Sequence, residues 1–182
     1  MNLTSDPDND LANPGARFAF ENNLWDEINS GIYSGQGRLW LAWSADLNDV
    51  VFSHNTGFAG DAMLLFAERY LNRIEVEDNI IGSTAGYGVW SGNGQPQGTA
   101  TLNYHISGWT YLRNVSFGIP ASVHPTGNWY PSGVTGIGFA SPSTGDWSLT
   151  ASSPYKGKGE GGSDPGVDYQ QLKSRLAKVV VP

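Results

Sequence analysis

Hydrophobic and polar residues alternate in short bursts along this chain, and four of the bursts end on the same residue type. RFAFENNLW places Phe18 and Phe20 five and three residues before Asn23, and VVFSHNTGF does the same with Val50, Phe52 and Asn55. RIEVEDNII repeats the pattern with Ile74, Val76 and Asn79, and GWTYLRNVSF repeats it with Trp109, Tyr111 and Asn114. An apolar residue follows the asparagine in three segments (Leu24, Ile80, Val115), and Thr56 follows it in the other. Residues two apart on a strand share a face, so each burst predicts a short strand with its apolar side toward a core. The asparagines are spaced by 32, 24 and 35 residues. One short strand and one fixed asparagine per period is the pattern of a stacked β-solenoid.

Each asparagine stands where its strand ends and the chain must bend. Equivalent positions of stacked strands lie about 4.8 Å apart, so its amide is expected to bond the bend backbone and the amide of the next coil. Between the four strands lie further apolar runs: RLWLAW (38–43), AMLLFA (62–67), YGVW (87–90) and TATLNYHI (99–106). Each is expected to form another side of the same coil, with glycine clusters at 31–37, 82–88, 92–98 and 133–138 at the corners. Near the end, DYQQLKSRLAK (168–178) carries Leu172 and Leu176 four apart behind Asp168. It predicts a short helix with Asp168 as N-cap, packing on the last coil. The expected organisation is a flexible acidic segment (1–14), the coils (15–150), and a C-terminal turn, Gly-rich excursion and capping helix (151–182).

Composition agrees with an all-β chain. Of 182 residues only 15% are charged, while 24 are glycine and 12% are aromatic. The net charge of −7 is uneven: residues 1–100 hold thirteen acids against four arginines, and residues 101–182 hold four acids against six bases. An acidic body argues against nucleic acid as the main partner, although a local basic pocket would still admit an anionic polysaccharide. There is no cysteine, which removes disulfides, thiolate metal sites and a cysteine nucleophile. No run approaches the ~18 apolar residues of a membrane span, so no membrane partner is expected. The N-terminal stretch MNLTSDPDNDLANPGARF has neither a basic nor an apolar signal region.

The asparagine-anchored pattern over about residues 15–150 resembles the right-handed parallel β-helix superfamily, the pectate-lyase-like fold. WSLTASSPYKGKGEGGSDPGVDYQQL also looks like the end of bacterial β-helix proteins, with its S-S-P turn, Gly-rich excursion and D-P-G-x-D segment. The resemblance implies a right-handed parallel β-helix, here of about five to six coils, and a carbohydrate-active protein acting on or binding a polysaccharide. Lyases, glycoside hydrolases and esterases share this fold, so the fold by itself does not select among them. The full-length parent is expected to be secreted or periplasmic. The chain starts almost at once with a strand and no apolar cap helix, so its first coil is expected to be covered by a longer parent or by self-association.

Aligning the asparagines sets Asn22, His54, Asp78 and Arg113 in one column, and Glu21, Ser53, Glu77 and Leu112 in the column before it. These positions are expected to reach solvent on the face where this superfamily usually places its active groove. The catalytic candidates are His54 as general base, Arg113 as the partner of an acid group or enolate, and Glu77 or Asp78 as acid or metal ligand. The alternative is a solvated face of paired charges. Arg38, Trp40, Trp90 and Glu21 are the substrate-binding candidates, because outward aromatics stack on sugar faces. All four lysines lie beyond the coils, which disfavours elimination by a lysine base. Hydrolysis would need two carboxylates across a groove.

Asp6, Asp8 and Asp10 have calcium-loop spacing, but Leu11 replaces the expected glycine. His105 and His124 show no metal-ligand spacing with His54, and a surface or loop-anchoring role is expected for each. Three readings stand: a lyase- or hydrolase-like enzyme on a polysaccharide, a non-catalytic glycan-binding or structural segment, and a metal-assisted hydrolase of a small ester or phosphate.

Overall fold

The computed structural model describes residues 2–4, 15–28, 30–33, 36–43, 47–67 and 71–179. The acidic triplet Asp6, Asp8 and Asp10 lies outside the described residues. The elements run β1 (Asn2–Thr4), β2 (Gly15–Glu21), β3 (Leu24–Ile28), α1 (Ser30–Tyr33), β4 (Trp40–Trp43), β5 (Leu47–Ser53) and β6 (Thr56–Ala59). They continue β7 (Ala62–Ala67), β8 (Leu71–Glu77), β9 (Ile80–Ser83), β10 (Tyr87–Ser91), α2 (Thr99–His105), β11 (Ile106–Leu112) and β12 (Val115–Phe117). A hairpin, β13 (Phe139–Ser141) and β14 (Asp146–Leu149), and a last helix, α3 (Tyr169–Leu176), complete the chain.

The first twelve strands form three four-stranded sheets ordered β1-β4-β7-β10, β2-β5-β8-β11 and β3-β6-β9-β12. Every pairing within them is parallel. Successive strands therefore visit the three sheets in turn, and every third strand lands beside its predecessor. The register is the one the alternation demands. Phe18, Val50, Ile74 and Trp109 are opposite one another in the middle sheet, as are Phe20, Phe52, Val76 and Tyr111. A slip by one residue would turn this entire apolar set outward.

The core lies between the sheets, where Phe52 packs against Trp40 with ring centroids 6.1 Å apart and Trp40 meets Phe66 edge-on at 5.5 Å. Burying each such side chain stabilises the fold by roughly 1.5–3 kcal/mol. No helix among the described residues is long and apolar enough to cross a membrane.

The strands of the middle sheet also share a kink. Arg17, Asp49 and Arg73 have φ of 60°, 54° and 58°, and Gly108, at the same place in β11, has 81°. This left-handed residue shifts the alternation, so Leu47 and Val50, three apart, are both buried.

Two expectations need correction. Within TATLNYHI, Thr99–His105 forms helix α2, not a strand, and Ile106 opens β11. Its buried residues Thr101, Leu102 and His105 recur at three- to four-residue spacing, which a short window does not separate from strand alternation. Each sheet holds four described strands, and a parallel bridge from Val115 to Trp129 continues the third sheet one level further. The loops from 92 to 105 and beyond 117 take up the remaining length. Helix α3 begins on the predicted N-cap, with Asp168 accepting from the Gln171 amide at 2.9 Å. However, it lies beside Asn22 at the opposite end of the stack from β12, because Asp168 N–H donates to Asn22 Oδ1 at 2.7 Å.

Candidate functional site

The bend between the middle and third sheets is built from two consecutive residues at every level. The first is left-handed: Asn22, His54, Asp78 and Arg113 have φ of 56°, 51°, 56° and 54°. The second is the aligned asparagine. Asn23 donates its backbone and side-chain amides to Asn55 Oδ1, both at 3.0 Å. Asn55 does the same to Asn79 at 2.9 and 3.0 Å, and Asn79 to Asn114 at 3.1 and 2.9 Å. The side-chain amides of Asn55, Asn79 and Asn114 also reach back one level, to the Phe20, Phe52 and Val76 carbonyls, each at 2.7 Å. These buried amides are thereby satisfied. The sequence reading missed a fifth rung, Asn128, whose Oδ1 accepts from Asn114 N at 2.8 Å and whose left-handed predecessor is Gly127. The signal is present in VHPTGNW, where Val123 and Pro125 stand five and three residues before it, but the spacing of 14 hides it.

The ladder stacks the predicted column on one edge. Asp78 is the centre of its charged part. Arg113 Nε donates to Asp78 Oδ1 at 2.9 Å and Nη2 to Oδ2 at 3.1 Å, while Nη2 also bonds Glu77. Glu160, absent from the sequence reading, lies 3.8 Å from the same guanidinium and gives its backbone N–H to Asp78 Oδ1 at 3.1 Å. The hydrogen bond that Arg113 donates to Asp78, opposed by partial burial, holds the guanidinium ionised well above its usual range. The Asp78 side chain is only 3% exposed. Asp78 was expected to face solvent, and the returning C-terminal segment covers it instead, while Arg113 stays partly exposed. Gly166 N–H donates to the Asp78 carbonyl at 2.7 Å and Val167 N–H to Thr56 Oγ1 at 3.0 Å. Oxygens of Glu77, Asp78 and Glu160 lie within 4.8 Å of one another, a spacing suited to a hard cation, but Arg113 already bonds two of these groups.

His54 sits at the rim of this cluster, its Nε2 3.9 Å from Asp78 Oδ2 and its side chain 37% exposed. It opens into a cleft of about 600 Å³. Glu21, Asn22 and Ser53 share the floor, Trp147 comes from β14, and the 163–171 segment forms the far wall. The structure thus brings together Glu21 and His54 in one cleft, and Glu77, Asp78 and Arg113 in an adjoining ion cluster.

The remaining candidates fall elsewhere. Trp40 is 0% exposed and presents no face to a sugar, because its strand parity points it into the aromatic core. Arg38 and Trp90 do meet, with the guanidinium carbon 5.6 Å from the indole centroid, and Trp90 stacks on Tyr87 at 4.7 Å. This pair belongs to the first sheet, away from the asparagine edge that carries His54. Arg38 is further held by Asp61 at 3.2 Å. His105 is buried against Ser91 Oγ at 2.8 Å, contrary to a surface or loop-anchoring role. His124 anchors a loop as expected, through Val89 N–H and the Pro120 carbonyl.

Comparisons with known proteins find no matching family model, no matching curated protein and no matching solved structure.

Proposed function

We propose that this chain is a right-handed parallel β-helix segment whose asparagine edge binds polysaccharide without cleaving it. The cyclic order of strands among three parallel sheets and the unbroken amide ladder support the helix. Parallel crossovers are overwhelmingly right-handed. The observation that carries the binding reading is the cleft at His54. It is lined by polar groups suited to hydroxyls (Glu21, Ser53, His54, Gln171) and flanked by the indole of Trp147.

Arg113 argues against catalysis. A lyase needs a free cation beside the uronate carboxylate, and this guanidinium is already paired through Nε and Nη2 with Asp78 and Glu77. Asp78, bonded by Arg113 and Glu160 and covered by the tail, has no path to a substrate proton.

The test is a panel of neutral and uronate polysaccharides, with and without calcium, measured for both binding and turnover. Saturable binding without product, weakened by His54→Gly, is the expected result. Release of reducing ends or of an ultraviolet-absorbing unsaturated product would replace this reading with the hydrolase-like or lyase-like one.

A further inference from the structure

The cleft at His54 has a sign of charge as well as a shape. Among the described residues, the carboxylates of Glu21, Asp164 and Asp168 line it against a single lysine, Lys156. That lysine is already engaged, because its Nζ donates to Asp164 Oδ2 at 2.5 Å. Asp168 accepts the Gln171 N–H as the cap of α3, a bond that brings no positive side chain with it. Glu21 stands exposed on the floor, and no lysine or arginine pairs with it among the described residues.

The surroundings do not reverse this sign. Asp146 accepts from the Ser148 N–H at 3.0 Å and from the Ser148 hydroxyl at 2.6 Å, and these bonds hold its carboxyl below the ordinary range. Lys173 of α3 lies over the Tyr169 ring at 5.6 Å and is attracted to Asp146 as well. Four carboxylates thus stand against two amines, and both amines are engaged.

A sugar hydroxyl and a sugar carboxylate meet this lining differently. A hydroxyl donates to a carboxylate and accepts from a hydroxyl, an amide or an imidazole N–H, and Ser53, His54 and Gln170 line the cleft beside Glu21. A uronate carboxylate only accepts. It would set a second negative charge beside Glu21 and would have to draw Lys156 away from Asp164 to find a partner. On an open floor water weakens this repulsion without cancelling it.

We infer that the cleft takes uncharged glycan chains and rejects uronate ones, with Glu21 setting the choice. The inference rests on the polysaccharide reading of this cleft and adds to it the charge of the sugar.

The probes are two matched pairs, each differing only in oxidation of the primary alcohol. One is a cello-oligosaccharide against the glucuronate chain of the same linkage and length, and the other is a galactan oligosaccharide against its galacturonate counterpart. Calorimetric titration of the full chain at low ionic strength, with chelator to remove calcium, should show the acid of a pair binding about tenfold or more weaker than its neutral twin. Added salt should narrow that ratio, because it screens charge and leaves the hydroxyl bonds in place. Glu21→Gln should raise uronate affinity by about threefold or more and change neutral affinity less. Equal or tighter uronate binding, or a ratio that salt does not move, would overturn the charge selection and leave a glycan site standing. No saturable binding of any of these chains would remove the polysaccharide reading and this inference with it. The salt series needs only the wild-type chain and decides the matter if the variant does not fold.

Discussion

Asn114 Oδ1 accepts two hydrogen bonds from the single residue Asn79, one from its backbone N–H at 3.1 Å and one from its side-chain amide at 2.9 Å. The same Asn79 amide donates to the Phe52 carbonyl at 2.7 Å, and its Oδ1 serves Asn55 in the same way. One buried side chain thus ties three levels together. Asn79→Ala removes these bonds and leaves a buried carbonyl and a buried N–H unpaired. Chemical denaturation should show a loss of about 3–5 kcal/mol. A loss below about 1 kcal/mol would mean that the ladder is incidental to the fold.

Arg113 is predicted to hold the C-terminal segment rather than a substrate. Arg113→Met leaves Asp78 buried without its partner, at a cost of about 3 kcal/mol. Adding Asp78→Asn, which keeps a residue tolerant of positive φ, should recover most of that loss. Hydrogen exchange at the Gly166 and Val167 amides checks the assignment, because both bond directly under this cluster. Exchange there should accelerate in Arg113→Met. Unchanged protection would separate the ion cluster from the clasp.

His54 occupies a backbone position with φ 51°, where a side chain is a burden on the fold. His54→Gly should therefore fold at least as stably as the wild type, with a gain of up to about 1 kcal/mol. His54→Val, branched at Cβ, should lose about 1–2 kcal/mol at the same site. Thermal melts of the two variants test this. If they come out alike, the strain argument for this column fails.

His124 should make stability depend on pH. Its Nδ1 donates to the Pro120 carbonyl at 2.8 Å and its Nε2 accepts from Val89 N–H at 3.2 Å, so the ring is neutral in one tautomer. Burial depresses its pKa below the ordinary 6.5, outweighing the Pro120 bond that raises it. The unfolded chain then binds the proton more readily than the folded one. The stabilisation is present in full above 6.5 and is lost as pH falls through the depressed value. Urea midpoints from neutral to mildly acidic pH should fall for the wild type and fall less for His124→Gln. Parallel curves would contradict this.

The repeat was legible because a strand at each level obeys the same constraints. Apolar residues five and three before the asparagine must share a face, and the asparagine must satisfy a bend. The sequence therefore announces Asn23, Asn55, Asn79 and Asn114 and the column in front of them. It does not announce what covers that column. Gly166 and Val167 act through backbone N–H groups, which any residue other than proline offers, so nothing in GGSDPGVD marks the contact with Asp78 and Thr56. Glu160 was equally silent, as it reaches Asp78 across 82 residues. Trp40 failed for another reason. Strand parity alone does not say which side of RLWLAW is inward; only the packing of Phe52 and Phe66 shows that Trp40 faces the core.

The most direct test of the account is amide and indole shift mapping during titration with oligosaccharides drawn from the binding panel. The account predicts saturable shifts at Glu21, His54, the Trp147 indole and Gln171, with no product formed. Shifts confined to Arg38, Tyr87 and Trp90, or no saturable shift with any glycan, would contradict it.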